Sequence, residues 1–259
     1  MISKCVGKES LKMRLALLMT NTDESNFAQS HPRDGEKFAQ LIASVRPSWQ
    51  VTSYAVKDGL FPQNIGTYDG VMISGSPASV HDPDPWVTKL FDLIRNIYAQ
   101  GIPMFGACFG HQAIALALGG KVEPNPSGWV FGLTHVDILH QTIWMQDLPK
   151  TLKQYGAHIE QVTILPENAV ALSASAACSN AGFHIADIVY TSQNHPEMTA
   201  EFMAALIAEY APKLPTDVTK AAHSSLTEDA DTLVYARSIT EFFENARSLK
   251  LSTKVVQHP

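Results

Sequence analysis

The chain has 259 residues, of which 45% are hydrophobic and 17% are charged, and its formal net charge is −6. This composition is ordinary for a globular protein, and the length fits one large α/β domain or a domain with a small appendage. No basic run stands out, so we expect no nucleic-acid partner. No apolar stretch approaches the roughly 18 residues of a membrane-spanning helix, so we expect no membrane partner either.

Cysteine usage and the N-terminal residues indicate a cytoplasmic protein. The three cysteines, Cys5, Cys108 and Cys178, are too few and odd in number for a disulfide framework. In the first residues we find no charged start followed by the apolar core and cleavage site of a secretory signal. We expect residues 1–12 to form an irregular extension, because the first strand-like run begins near Met13.

Apolar runs alternate with helical periodicities in the first half of the chain, which is typical of a parallel α/β sheet. The strand candidates are short and apolar and cover residues 14–19, 50–55, 70–74 and 104–107. The clearest helix follows Asp84, a suitable N-cap, and has Pro85 at its first position. A second helix is predicted for residues 110–118.

The second half of the chain is less regular. Residues 131–139 alternate apolar and polar side chains, as an edge or antiparallel strand would. Further strands are predicted at 170–172 and 188–190, helices at 199–209 and 229–247, and a surface connection at 211–227. We therefore expect a main domain over residues 13–210 and a helical extension, residues 211–259, packed on it.

Residues 106–112 read GACFGHQ and have the form G-x-C-x-G between an apolar strand and a helix. This form predicts a nucleophile elbow, in which flanking glycines leave room for a sharp turn that exposes the Cys108 thiol. The N-terminus of the following helix favours a thiolate over a thiol. Taken alone, Cys108 can also be interpreted as a small buried apolar residue at the end of a strand.

Residues 193–197 read QNHPE and follow the strand predicted at residues 188–190. A thiol nucleophile needs a base, and the base needs an orienting group. His195 and Glu197 can supply these roles, although the segment alone would be interpreted as a surface His-Pro turn. The order of nucleophile, histidine and acid differs from that of α/β-hydrolases. The 87-residue separation of Cys108 from His195 is too short for papain-like enzymes.

Together these motifs resemble the class I glutamine amidotransferase family, which carries a G-x-C-x-G-x-Q elbow and a later Q-x-HPE element. Residues 73–77, ISGSP, are similar to the family's oxyanion turn, and the resemblance covers about residues 14–209. It implies a flavodoxin-like or Rossmann-like, mostly parallel central sheet flanked by helices, with a small antiparallel edge element. It also implies that Gly75 and Phe109 donate to the oxyanion, and that Gln112 helps to bind the substrate.

The details are similar to a standalone branch that includes relatives of the GMP synthase glutaminase domain and the cytosolic γ-glutamyl peptidases. Ser76, where many family members have glycine, is shared with the peptidase-like branch and is expected near the substrate. Trp129 is expected in the core or at the rim, where it could line the substrate pocket. His158 and Glu160 resemble a family H-x-D-x-V element with departures, and the sequence assigns them no role.

Three functions are compatible with the sequence. The first is a self-contained hydrolase that cuts the γ-amide of glutamine or a γ-glutamyl compound with Cys108, His195 and Glu197. The second is a glutaminase subunit that supplies ammonia to a separate synthetase chain. The third is a non-catalytic binding protein on the same scaffold. We expect no metal and no cofactor, because the chain has no helical i, i+4 histidine pair, no C-x-x-C and no P-loop spacing.

Overall fold

The computed structural model describes residues 12–256, so the extension predicted over residues 1–12 lies, except for Lys12, outside the described residues. The strands are β1 (Arg14–Met19), β2 (Gln50–Ala55), β3 (Gly70–Ile73), β4 (Met104–Ala107), β5 (Lys121–Pro124), β6 (Val130–Ile138), β7 (Thr151–His158), β8 (Glu160–Ile164), β9 (Val170–Ser175), β10 (Cys178–Ile185) and β11 (Val189–Ser192). The helices are α1 (Asn26–Gln29), α2 (Asp34–Ala43), α3 (Pro85–Ala99), α4 (Phe109–Ala117), α5 (Ala200–Tyr210), α6 (Thr216–Ser225) and α7 (Thr232–Val256).

Nine strands form the main sheet in the order β2-β1-β3-β4-β11-β10-β9-β6-β7, and β5 and β8 form a separate antiparallel pair. The first five of these strands run parallel and are here called the parallel half. The last four pair antiparallel and are called the antiparallel half. The predicted α/β class, with parallel strands at its centre and an antiparallel element, is confirmed. Strand β6 is antiparallel, but it has neighbours on both sides and is not an edge strand.

Helices cover both faces of the parallel half, and the period of two in β1 explains how. Leu15 and Leu17 face one side and pack in a core with α2 and α7. Ala16 and Leu18 face the other side and pack in a core with α3 and α4. All four side chains are fully buried, as expected for a central strand of a two-sided sheet. The helix predicted after Asp84 begins at Pro85, although the Asp84 side chain makes no capping hydrogen bond.

The segment 211–227 is not the surface connection that its sequence predicts. It contains helix α6, which packs on β6 and buries Ala222 in a third core with α5. The sequence of α6 is only weakly apolar and does not predict this contact. The contact depends on Gly132, which lies directly beneath the helix. A methyl group at Gly132 would come within 2.9 Å of Cα of Ala222.

Helix α7 begins at Thr232 rather than at residue 229 and extends to Val256, beyond the predicted end at residue 247. Tyr235 and Phe242 of this helix are buried in the same core as Leu15. Arg46 and Glu244 form a 2.8 Å ion pair that joins α7 to the region after α2. The domain boundary at residue 210 stays a prediction.

The carboxyl ends of the parallel strands meet at one edge of the sheet, where such folds place their sites. Four segments are joined there by hydrogen bonds. The Thr20 N–H donates to Ser74 Oγ at 3.0 Å, the Gly110 N–H donates to the Ser74 carbonyl at 3.1 Å, and the Cys108 N–H donates to the Ser192 carbonyl at 2.8 Å. The residues that follow β1, β3, β4 and β11 therefore lie together.

Candidate active site

Cys108 occupies a strained turn between β4 and α4. Its φ is 49° and its ψ is −106°, a combination that non-glycine residues rarely adopt. Glycine is required at positions 106 and 110 because other backbone atoms approach both residues closely. A methyl group at Gly106 would lie 2.6 Å from the Gly110 backbone, and one at Gly110 would lie 2.4 Å from the Ile73 carbonyl oxygen. The G-x-C-x-G pattern therefore forms the sharp elbow that the sequence predicts.

His195 and Glu197 are adjacent and buried at the carboxyl end of β11. The His195 Nδ1 lies 2.8 Å from Glu197 Oε1, and the two side chains are 7% and 2% exposed. The His195 backbone N–H also donates to the Tyr155 carbonyl at 2.9 Å, which fixes the loop on β7. With Nδ1 donating to the carboxylate, Nε2 is the ring nitrogen left to exchange a proton.

The Cys108 thiol and the His195 imidazole lie together over Gly75. A methyl group at Gly75 would be 2.6 Å from His195 Cε1 and 3.5 Å from Cys108 Cβ. Burial by itself would lower the pKa of His195. The negative charges of Cys108 and Glu197, and hydrogen bonds to both, instead raise this pKa well above its ordinary value. This electrostatic arrangement favours the protonated form of the His195 imidazole.

Gly75 and Phe109 each present a backbone N–H at this edge. Phe109 is the first residue of α4, so its N–H has no partner within the helix. Within residues 12–256, neither N–H donates to a protein acceptor. The Ser74 carbonyl, in the same peptide group as the Gly75 N–H, accepts a 2.9 Å hydrogen bond from the Thr20 hydroxyl, which holds that peptide in place. Both residues therefore lie next to Cys108, and their role as oxyanion donors stays a prediction.

The predicted substrate contacts all line one cavity of about 490 Å³ with Cys108 and His195. Gln112 is buried, and its Nε2 donates to the Glu160 carbonyl at 2.9 Å and to Gln193 Oε1 at 3.2 Å. The Ser76 hydroxyl accepts from the Ala78 N–H at 3.1 Å. Trp129 is half-buried at the cavity wall, beside Phe131 and Tyr210.

His158 and Glu160, to which the sequence assigns no role, also line this cavity. The His158 Nδ1 donates to the Glu160 carbonyl at 2.9 Å, and burial lowers the pKa of His158 to about 4. Both carboxylate oxygens of Glu160 accept from the Ser79 hydroxyl, at 3.0 and 2.9 Å. Glu160 therefore joins the loop after β3 to the turn between β7 and β8, and His158 braces that turn from within.

Sequence reasoning missed three residues of the site. The Gln193 Nε2 lies 3.7 Å from Cys108 Sγ, a contact that the QNHPE motif contained without assigning it. Asp34 and Lys37, in the first turn of α2, are buried and line the cavity with Glu197. The only sequence signal for this pair is its place after β1, on a helix whose other buried residues are apolar.

Comparisons with known proteins identify the family of the chain. The family model for "Glutamine amidotransferase class-I" matches residues 36–209. "Gamma-glutamyl peptidase 4" of Arabidopsis thaliana is 30% identical over 199 residues, 74% of this chain and 78% of the relative. One subunit of a glutamine-hydrolysing GMP synthase from Methanosarcina acetivorans is 32% identical over 132 residues, 51% of this chain and 65% of the relative.

Solved structures show the same fold. A glutamine amidotransferase from Thermotoga maritima superimposes with a TM-score of 0.75 at 19% identity, covering 90% of this chain and all of that one. In the part of the chain that the structure describes, no helix combines the length and apolar character needed to cross a membrane. The elbow, the histidine–glutamate segment, the fold and a family match over more than half of the sequence all agree: the chain belongs to the class I glutamine amidotransferase family.

Proposed function

We propose that the protein hydrolyses the γ-amide bond of glutamine or of a γ-glutamyl compound through a thioester on Cys108. The observation that carries this proposal is the His195–Glu197 pair, joined at 2.8 Å, beside a cysteine held at a φ of 49°. A buried thiol without function would not need a strained backbone and a raised histidine pKa at the same point. The relatives named as γ-glutamyl peptidases support the same bond type.

In the proposed reaction, the Cys108 thiolate attacks the γ-carbonyl carbon, and the carbonyl oxygen becomes an oxyanion. The Gly75 and Phe109 N–H groups stabilise this oxyanion, and one such donor is typically worth about 10²–10³ in rate. When the C–N bond breaks, the His195 imidazolium gives its Nε2 proton to the departing amine. The products at this stage are a free amine and a γ-glutamyl thioester of Cys108.

The second half of the reaction hydrolyses the thioester. Neutral His195 takes a proton from water, whose oxygen attacks the thioester carbonyl, and a second oxyanion collapses to release the Cys108 thiolate. Glutamate leaves, and His195 is again an imidazolium. Glu197 stays ionised throughout and holds the ring by Nδ1, so that Nε2 faces the reacting atoms. A cytoplasmic location is part of the proposal, because the thiol must stay reduced.

The test is labelling of the purified protein by a glutamine-like chloroketone, followed by a panel of γ-glutamyl substrates with glutamate release as the readout. We expect one adduct, on the peptide that contains Cys108 and not on the peptide that contains Cys178. We also expect Cys108-dependent turnover that the Cys108→Ala variant lacks. Equal labelling of the two peptides, or turnover that survives in Cys108→Ala, would contradict the proposal.

A second candidate is a glutaminase that supplies ammonia to a separate synthetase chain. The observation that favours it is the similarity to a protein named as one of the subunits of a GMP synthase. This function needs the same thioester chemistry but differs in its dependence on a partner. If the isolated chain turns over glutamine at a rate that an added synthetase chain does not increase, the self-contained hydrolase is favoured. Turnover that rises at least tenfold when a synthetase chain is added favours the ammonia-supplying glutaminase.

A further inference from the structure

Two of the lysine and arginine side chains that line the cavity are already paired with carboxylates. Arg33 and Lys57 each lie 2.8 Å from a carboxylate oxygen of Glu24, and Lys57 also contacts Asp58 at 2.8 Å. These three ion pairs lie at the outer wall of the cavity, where the side chains of Glu24 and Asp58 are more than half exposed. Their positive charges are therefore neutralised at the surface.

Lys37 differs from both. Its side chain is 9% exposed, and its Nζ lies 3.8 Å from Asp34 Oδ1, too far for a hydrogen bond of good geometry. The same Nζ lies 3.4 Å from the centre of the Phe202 ring. Among the described residues that line the cavity, Lys37 is the lysine or arginine with no carboxylate oxygen within 3.5 Å. A desolvated ammonium in this position is poorly compensated.

The Asp34–Lys37 pair lines the same cavity as the His195–Glu197 pair. His195 must protonate the departing amine, so the leaving group passes next to the His195–Glu197 pair. The charges of both Asp34 and Lys37 interact with that of Glu197, and that of Asp34 also with His195. Lys37 thus belongs to the part of the cavity wall whose charges interact with the residues that would protonate the leaving group.

The cavity has room for more than glutamine. Liquid water occupies about 30 Å³ per molecule, so a cavity of about 490 Å³ holds on the order of sixteen water-sized groups. Glutamine has ten non-hydrogen atoms, and its leaving group is a single nitrogen. Lys37, Phe202 and Phe27 line this cavity, within reach of a leaving group larger than ammonia.

We infer that Lys37 binds a carboxylate on the leaving group, so that the amine released is an amino acid or a short peptide rather than ammonia. This inference rests on the proposed function and names its substrate class. A substrate carboxylate at Nζ would form a charge-assisted hydrogen bond of about 2.7–2.9 Å, which the Asp34 contact does not provide. Asp34 would then serve to hold the Lys37 side chain in place.

The test compares γ-glutamyl-alanine with γ-glutamyl-alaninamide, which differ only in whether the leaving group carries a carboxylate or a neutral amide. We expect the wild-type protein to prefer the acid by at least about tenfold in kcat/KM, as expected for one hydrogen bond to a charged group. Lys37→Met should lower kcat/KM for the acid about tenfold to a hundredfold, and that for the amide by less than about threefold. Lys37→Arg should retain the preference.

Lys89→Met is the matched control, because Lys89 also lies over a phenylalanine ring, at 4.3 Å from the centre of Phe61, but is exposed on α3. It should change neither value. Equal losses for both substrates in Lys37→Met would overturn the inference, because Lys37 would then act through the charge of Glu197. Wild-type protein with no preference for the acid would overturn it without any variant. If the protein turns over glutamine but neither γ-glutamyl substrate, the inference is overturned and the proposed function is kept. If it turns over no substrate, both are rejected.

Discussion

The parallel and antiparallel halves of the sheet each contain a buried, free cysteine, and the two thiols have different surroundings. Cys108 follows β4 at a φ of 49° and lies beside His195. Cys178 begins β10, outside the set of residues with positive φ, and burial raises its pKa to about 12. Burial is thus the main reason why the Cys178 thiol is inert, while the proposed function relies on the elbow, the helix N-terminus and the braced imidazole to activate Cys108.

The largest expected effect comes from removing the charge that braces the imidazole. Glu197→Gln keeps the size of the side chain but removes the carboxylate that accepts from His195 Nδ1 at 2.8 Å. By analogy with acid-to-amide changes in other triads, kcat should fall about 10³–10⁴-fold. Glutamate release under saturating substrate measures this. Glu201→Gln, an exposed change on α5, is the control, and a loss of similar size there would contradict the role of Glu197.

The next effect is a direct comparison of the two thiols. At pH 7, iodoacetamide should modify Cys108 at least about 10³ times faster than Cys178, because only a thiolate reacts and a group with a pKa of about 12 is almost entirely protonated. Peptide mass spectrometry over time gives both rates from one sample. In urea the two rates should converge. A His195→Asn variant should lower the modification rate of Cys108 and leave that of Cys178 unchanged. If the two rates are nearly equal in the folded wild-type protein, the two thiols do not differ in reactivity.

The third effect separates the function of a glycine from its role in folding. Gly75→Ala would place a methyl group 2.6 Å from His195 Cε1, a side-chain atom that can move, so the fold should persist. With the imidazole displaced and the oxyanion donor disturbed, kcat should fall about 10²–10³-fold. Gly110→Ala would meet the Ile73 carbonyl oxygen at 2.4 Å, which cannot move, so it should lower the free energy of unfolding instead.

Both measurements can be made on the same two variants, by glutamate release and by thermal unfolding. Gly75→Ala should combine low activity with a nearly unchanged Tm. Gly110→Ala should show a lower Tm, by several degrees or more. If Gly75→Ala loses as much stability as Gly110→Ala, the close approach to His195 is structural rather than functional.

The parallel half was the more predictable part of the fold. Strands β1 and β4 are short runs of apolar residues buried on both faces, and the turns that follow them carry their own signals, such as the glycines around Cys108. Because each of these signals is local, the positions of Cys108, His195 and Glu197 could be predicted from the sequence. What the sequence could not provide is the distance between segments 87 residues apart.

The antiparallel half was less predictable because its strands are defined by their partners. Strand β10 pairs with β9 through register shifts between Cys178 and Phe183, which break the alternation that a sequence pattern needs. Helix α6 is held by the close approach of Ala222 to Gly132, a tertiary contact without a local signal. Lys37 was missed for the same reason, since its importance depends on Phe202 and Glu197 from the far end of the chain.

The smallest expected effect concerns two buried histidines, one in each half. Burial lowers the pKa of His111 in α4 to about 3 and that of His158 in β7 to about 4. In the unfolded chain both imidazoles take up protons below a pH of about 6.5. Between pH 6.5 and 4 the unfolded state therefore binds more protons, so the free energy of unfolding falls as the pH falls, by up to about 1.4 kcal/mol per pH unit for each histidine.

Urea unfolding at several values between pH 6.5 and 4 measures this slope. His111→Gln should reduce it by up to about 1.4 kcal/mol per pH unit, because the folded and unfolded states no longer differ in protonation at that position. His223→Gln, an exposed change on α6, is the control and should reduce the slope far less. An unchanged slope in His111→Gln would mean that the folded protein admits a proton at this site. The region behind the elbow would then be open to water, and burial strong enough to suppress a charge, as at Cys178, would be confined to the antiparallel half.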